Sequence, residues 1–339
     1  MIIIGQTQKT NCMKTICFFI SYIFISTFFS QIDTNDVGGG VPFREHVPTK
    51  RMIPYPQVRE ADIAWSKRVW RSIDLREKIN YPLYYPLDEH FTSGQYYRNS
   101  DHWSLWTILR EHIINGDLTL YSPYNPYQFD LYDGDQFKYP IRAESGKNYN
   151  SDPVFKDKVF YYIGNLGPET DIPISNSIGE DSTIFDPVLN VEIPVYPPRD
   201  TTWIDSKDII QYHVKEDWFF DKTRSVMDVR IVGIAPVVYK KENIGGVEQI
   251  SGTKELFWIY FPHARYIFNN YFVFNDKNNY AWMSFDDYFW KRRFSSTIYK
   301  ESNVYDRTIS TYQNGTDALL ESERINEEIR TIESDLWNF

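Results

Sequence analysis

Cysteine is almost missing from this chain. There are two, Cys12 and Cys17, and both precede residue 30. From residue 31 onward the sequence therefore excludes a disulfide framework, a cysteine nucleophile and a thiolate metal site. Histidine is scarce as well, with His46, His90, His102, His112, His213 and His263. None of the six forms HxxxH or HExxH. His102 and His112 would stand about three helical turns apart, too far for one metal ion. There is no GxSxG nucleophile elbow. The only Gly–Lys pair, Gly146–Lys147, lacks the earlier glycine and the following Ser/Thr of a phosphate loop. Asp130, Asp133 and Asp135 around Gly134 do not follow the EF-hand order and read as an Asp–Gly turn. Positive charge is in deficit: the formal net charge is −10. Residues 1–30 hold Lys9 and Lys14 and no acid, so the remainder carries −12. Such a surface repels phosphate backbones, and a nucleic-acid partner is not expected. No catalytic residue, cofactor, metal or small-molecule substrate is expected from these patterns.

What the chain has in abundance is aromatic side chains, 17% of all residues. Residues 257–290 concentrate them, with 15 Phe, Trp or Tyr in 34 positions. Each buried ring removes a large apolar area from water, so this segment is expected to be core. The competing use is a sugar platform built from Trp258, Trp282 and Trp290, which would make the chain a carbohydrate-binding or carbohydrate-cleaving protein.

Taken in order, residues 1–30 read as a signal peptide: a short basic start, an apolar run and Ser30 before Gln31, with Met13 an alternative initiator. Residues 31–58 contain Gly38–Gly40 and four prolines, and read as an extended, mobile arm. Residues 59–163 form an N-terminal half of helices and strands. Within it, Ala61, Trp65, Val69 and Ile73 recur every four residues, which predicts a helix over 59–79. Its basic residues, Arg68 and Arg71 foremost, are either a solvated face or a docking face for an acidic partner. A second helix is expected over 101–114, capped by Ser100 or Asp101 and stopped at Asn115–Gly116, with short strands at 117–121 and 158–162. Residues 164–199 hold no Lys or Arg up to Pro198, and read as an acidic, proline-rich linker.

Residues 200–312 form the aromatic-rich second half. Alternation at Ile210, Tyr212 and Val214, and again at Met227, Val229 and Ile231, predicts paired strands joined near Asp221–Lys222. A glycine-bearing loop is expected at 243–252, a third strand at 255–261 and a helix at 284–294. Asp286 and Asp287 are expected to pair with Lys291, Arg292 and Arg293 one turn on. Residues 313–339 form an acidic amphipathic helix whose apolar stripe is Ile325, Ile329, Ile332 and Leu336. That stripe is either packed on its own domain or offered to a partner. The fold class is α+β, an antiparallel meander in the second half packed with several helices.

Five segments carry a resemblance: ADIAWSKRVWRSIDLREKIN (61–80), SLWTILREHIINGDLTLY (104–121), KEDWFFDKTRSVMDVRIVGIAP (215–236), LFWIYFPHARYIFNNYFVFN (256–275) and WMSFDDYFWKRRFSSTIYKESNVYDR (282–307). Together they resemble the gliding motility protein N family (GldN, or PorN in non-gliding species) of the Bacteroidetes type IX secretion system. The resemblance implies a non-enzymatic periplasmic protein on the inner side of the outer membrane. Its implied partners are a lipoprotein of the GldK/PorK type, the periplasmic part of the GldM/PorM motor protein, and further copies of itself in a ring.

Overall fold

Residues Ile63–Asp74 form a strand, β1, and not the expected helix. The reason is arithmetic. A spacing of four is one helical turn and also two strand periods, so Trp65, Val69 and Ile73 share a face in either geometry. The residues between decide it: Lys67 and Arg71 lie on that same face at even offsets, while Ala64, Ser66 and Arg68 are exposed on the other.

This description comes from a computed structural model. It covers residues 51–337 except 92–94, 167–172, 176–181, 187–190, 197–200, 245–246 and 276–281. The expected signal peptide 1–30, residues 31–50 of the arm, and parts of the 164–199 linker lie outside the described residues.

β1 belongs to an eight-stranded antiparallel sheet. Its other members are β2 (Leu120–Tyr121), β3 (Pro140–Ile141), β4 (Ile209–Asp221), β5 (Val226–Ile244), β6 (Val247–Glu255), β7 (Trp258–Tyr260) and β8 (Thr297–Glu301). The order is β8-β1-β4-β5-β7-β2-β3, with β6 paired to β5 beside this path. The sheet thus draws strands from both sides of the 164–199 stretch. The expected halves, 59–163 and 200–312, are therefore not separate bodies; the described residues belong to one compact unit. The described part of the linker adds two small antiparallel pairs, 183–186 with 191–194 within it and 164–166 with 201–203 across its ends.

Besides a single turn at Tyr81–Tyr84, the helices among the described residues are α1 (Leu105–Asn115), α2 (Pro153–Ile163), α3 (Phe261–Phe268), α4 (Phe285–Trp290) and α5 (Thr316–Trp337). α1 starts at Ser104, whose side chain accepts from the Thr107 amide, and not at Ser100 or Asp101. It ends as expected at Gly116, which holds the left-handed φ of 84° that glycine adopts without strain. α2 replaces the strand expected at 158–162. Asp152 accepts from the Val154 and Phe155 amides and Pro153 fills the first turn, a start signal that outweighs the β propensity of Val159–Tyr162. The expected 243–252 loop is largely the β5–β6 ladder, which runs as far as the Ile244–Val247 pair. The strand expected at 255–261 is β7, and Pro262 stands at the start of α3.

The aromatic segment is core. Phe257, Trp258, Phe261, Phe268, Phe285 and Phe289 are each at most 1% exposed. Phe261 and Phe289 meet edge to face at 5.3 Å between centroids. The main apolar cluster joins the five phenylalanines among them to Leu105, Trp106, Leu109, Val159 and Tyr212. A smaller cluster on the opposite face of β1 contains Trp70, Ala235 and Trp258. A third is built by α5: Ile325 and Ile329 pack against Val69, Ile298 and Ile309. No helix among the described residues is long and apolar enough to cross a membrane.

One glycine is required by close approach. A Cβ on Gly134 would lie 2.2 Å from the Ser122 carbonyl oxygen and 2.3 Å from the Pro123 Cα, both backbone atoms. Gly134→Ala should therefore destabilise the chain by about 1–3 kcal/mol. Urea unfolding checks this, and an unchanged midpoint would show that the Ser122–Pro123 backbone yields freely.

Candidate protein-docking site

The residues that the sequence nominates for docking separate into two groups. Arg71, Ile325 and Ile329 are buried, and they form an internal seam between α5 and the sheet. Ile332 and Leu336, further along α5, are half-buried. Arg68 sits on the other face of β1, half exposed, and pairs with Asp217 on β4 at 2.5 and 2.7 Å.

Arg71 is flanked along its face by Val69, in the α5 cluster, and Ile73, in the main cluster. Its guanidinium donates to Glu216 at 3.0 Å and to the Asn326 amide oxygen at 2.7 Å. Glu216 is fully buried, and it also accepts from Arg292 at 2.7 and 3.2 Å and from Trp218 Nε1 at 3.0 Å. One carboxylate therefore ties β1, β4, the turn after α4 and, through Arg71, the terminal helix. Burial lowers the Arg71 pKa, and the Glu216 charge opposes that shift. Neither Arg71 nor the two buried isoleucines can reach a partner from this arrangement.

A different polypeptide-binding device is present on the surface. Residues 51–58 were expected as part of a mobile arm, yet Ile53–Pro56 is seated in a socket. Arg265 donates to the Ile53 carbonyl at 2.8 Å, and Arg230 donates to the Pro56 carbonyl at 2.5 Å. Between these anchors the Tyr55 ring stacks on Trp290, 5.3 Å between centroids and 25° between planes. The two guanidiniums lie 4.1 and 5.2 Å from its centroid. Arg265 is held in turn by a buried two-pronged bond to Asp286 at 2.6 and 3.0 Å. This corrects the expected pairing of Asp286 with the 291–293 triplet: helix α4 turns Asp286 toward α3, and Arg292 goes to Glu216. Burial raises the Tyr55 pKa, with Arg265 opposing. The socket reads extended, proline-flanked chain through its carbonyls and one ring, the way grooves recognise polyproline-like segments.

The face of the sheet opposite the main core carries a cleft of about 560 Å³. Within it His213 pairs with Glu255 at 2.6 Å, and Glu255 also accepts from Trp258 Nε1 at 2.8 Å. Lys215 donates to the Asp135 carbonyl at 2.6 Å and to its carboxylate at 3.2 Å, and that carboxylate accepts from Trp70 as well. Burial pushes the Glu255 pKa up, but the His213 and Trp258 hydrogen bonds outweigh it and the net shift is downward. A depressed carboxylate contributes stability above its unfolded pKa of about 4.3, and that contribution disappears as pH falls through the folded value. Glu255→Gln should therefore melt below the wild type at pH 7, and the gap should close as the pH falls below about 4. A gap independent of pH would sink this account of the pair.

The three tryptophans proposed as a sugar platform do not assemble one. Trp258 is 1% exposed, Trp290 is covered on one face by Tyr55, and Trp282 is half-buried. The socket and the Glu216 node were missed from sequence. Tyr55 between Pro54 and Pro56 was an available signal for the first. Nothing in the local sequence marks Glu216 as the acid that turns inward.

A family model described as "Gliding motility associated protein GldN" matches residues 58–338. No curated protein matches the chain.

Proposed function

Because the chain belongs to the family of gliding motility associated proteins GldN, we propose that it is a non-enzymatic structural subunit of a periplasmic ring serving type IX protein secretion and gliding. The observation that carries this reading is the family match from residue 58 to 338. The build of the molecule supports it. The aromatic rings go into the core, the buried charges brace strands and the terminal helix, and the Tyr55 socket holds polypeptide main chain.

On this reading the partners are an outer-membrane lipoprotein of the GldK/PorK type, the periplasmic part of a GldM/PorM-type motor protein, and further copies of this chain. The place of work is the periplasm, at the inner face of the outer membrane. The test is genetic. A strain lacking this chain should stop exporting proteins that carry the C-terminal type IX signal, and export should return with the wild-type gene. Normal export in its absence would refute the reading.

A further inference from the structure

A second cleft, of about 560 Å³, opens beside the single turn at Tyr81–Tyr84 and has no part in the reading above. Its floor is the main core: Val273 and Tyr288 belong to the main apolar cluster, and Met283 packs against it. Its rim is apolar yet open to water, with Ile79, Tyr81 and Tyr85 exposed. Apolar side chains exposed together, rather than singly, mark a binding surface. The volume is that of a small-molecule site.

The charge of the cleft runs against that of the chain. The whole sequence carries −10, yet none of the described residues that line the cleft is acidic, and Lys78 and Arg293 are among them. Both are exposed, and among the described residues neither side chain has an ion pair or a hydrogen bond. The fold stitches their two segments together. Asn80 accepts from the Ser295 amide at 2.9 Å and donates to the Ser295 carbonyl at 3.0 Å. The Tyr288 hydroxyl donates to the Ile79 carbonyl at 3.2 Å. Each cation stands two residues from the Asn80–Ser295 clamp, so the two positive charges gather on one side of an apolar cleft. Arg292, held at a φ of 49°, goes instead to Glu216. The turn after α4 therefore divides its basic residues between the core and this cleft.

The lining selects the body of a ligand as the cations select its head. A peptide or a sugar carries hydrogen-bonding groups along its whole length, and burying them without partners costs free energy. Val273 and Met283 supply no such partners, and the Tyr288 hydroxyl is already engaged. An acyl chain has no polar group to satisfy.

We propose that this cleft binds a single-chain amphiphile with an anionic head. The acyl chain lies on Val273, Met283 and Tyr288 between the exposed rim residues, and the carboxylate or phosphate head is taken by Lys78 and Arg293. This inference does not rest on the ring reading, because the purified chain alone tests it.

The test is isothermal titration calorimetry of the full chain with laurate, dodecyl phosphate and dodecyltrimethylammonium, all below their micellar concentrations. Saturable binding of one or both anions is expected, weakened by added salt as exposed ion pairs require. The stronger of the two identifies the head as carboxylate or phosphate, and either order supports the proposal. Decanoate, two methylenes shorter than laurate, should bind on the order of tenfold more weakly. Lys78→Met and Arg293→Met should each weaken anion binding severalfold, the range for exposed ion pairs, and the double variant should lose more than either. Ile79→Asp puts a negative charge at the rim, at a position 56% exposed where the fold is not at issue, and should abolish binding. Absence of saturable anion binding by the wild-type chain would overturn the proposal. So would equal binding of dodecyltrimethylammonium, or an affinity unchanged in both the double variant and Ile79→Asp. Tighter binding of an acetylated Glu-Leu-Leu-Glu peptide than of either anion would overturn it as well, and make the ligand a polypeptide.

Discussion

Replacing Glu216 with alanine should cost about 3–5 kcal/mol of stability, the range for removing one member of a buried ion pair. The carboxylate accepts from Arg71, Arg292 and Trp218. Without it, two guanidiniums and an indole N–H lose their common acceptor, and Arg71 remains enclosed between two apolar clusters. Arg71 is also the link to Asn326, so the loss should loosen α5 before it unfolds the sheet. Hydrogen exchange should then rise first in residues 316–337. Asp217→Ala provides the contrast on the next residue: its partner Arg68 is half exposed, and such pairs contribute up to about 1 kcal/mol. Denaturant titration of both variants decides the matter. A Glu216→Ala loss no larger than that of Asp217→Ala would remove the node from the account of what holds the terminal helix.

Arg265→Met should have the second large effect, again about 3–5 kcal/mol, because it leaves Asp286 buried with no guanidinium. It also removes the donor to the Ile53 carbonyl. The arm should come loose, and limited trypsin digestion should then cut faster after Arg51 and Arg59, which are exposed on either side of the seated segment. Tyr55→Ala separates the two consequences. It takes away the stacking on Trp290 and leaves the Arg265–Asp286 pair in place. Proteolysis at those two arginines should rise while global stability changes by much less. If Tyr55→Ala leaves the cleavage rate unchanged, the ring is not what seats the arm.

Legibility from sequence followed the physics of each segment. The turn signals at Gly116 and Pro262, the period-two alternation of β4 and β5, and the terminal amphipathic helix all act locally, and each was read close to where it lies. β1 was misread because its apolar residues recur at a spacing common to both periods, and only the burial of Lys67 and Arg71 on the same face breaks the tie. α2 was misread because the Val159–Tyr162 run favours a strand in isolation, while the Asp152–Pro153 start favours a helix. Arg71 illustrates the deeper limit. Its inward face is set by a partner 145 residues away, and no local pattern records which charged residue will meet such a partner. The candidate socket fared likewise: the proline-flanked tyrosine is visible, but Arg230, Arg265 and Trp290 come together only when β5, α3 and α4 pack. The family was legible because long aromatic segments such as 256–275 and 282–307 are unusual enough to identify a relative without any structure.

The measurement that bears most directly on the proposed assembly role is the mass of any species this chain forms with a lipoprotein of the proposed GldK/PorK type. The two proteins, co-expressed in the envelope and purified through a tag on this chain, should emerge as one multi-copy complex on size exclusion with light scattering. Elution of this chain as a monomer, free of the lipoprotein, would contradict the account.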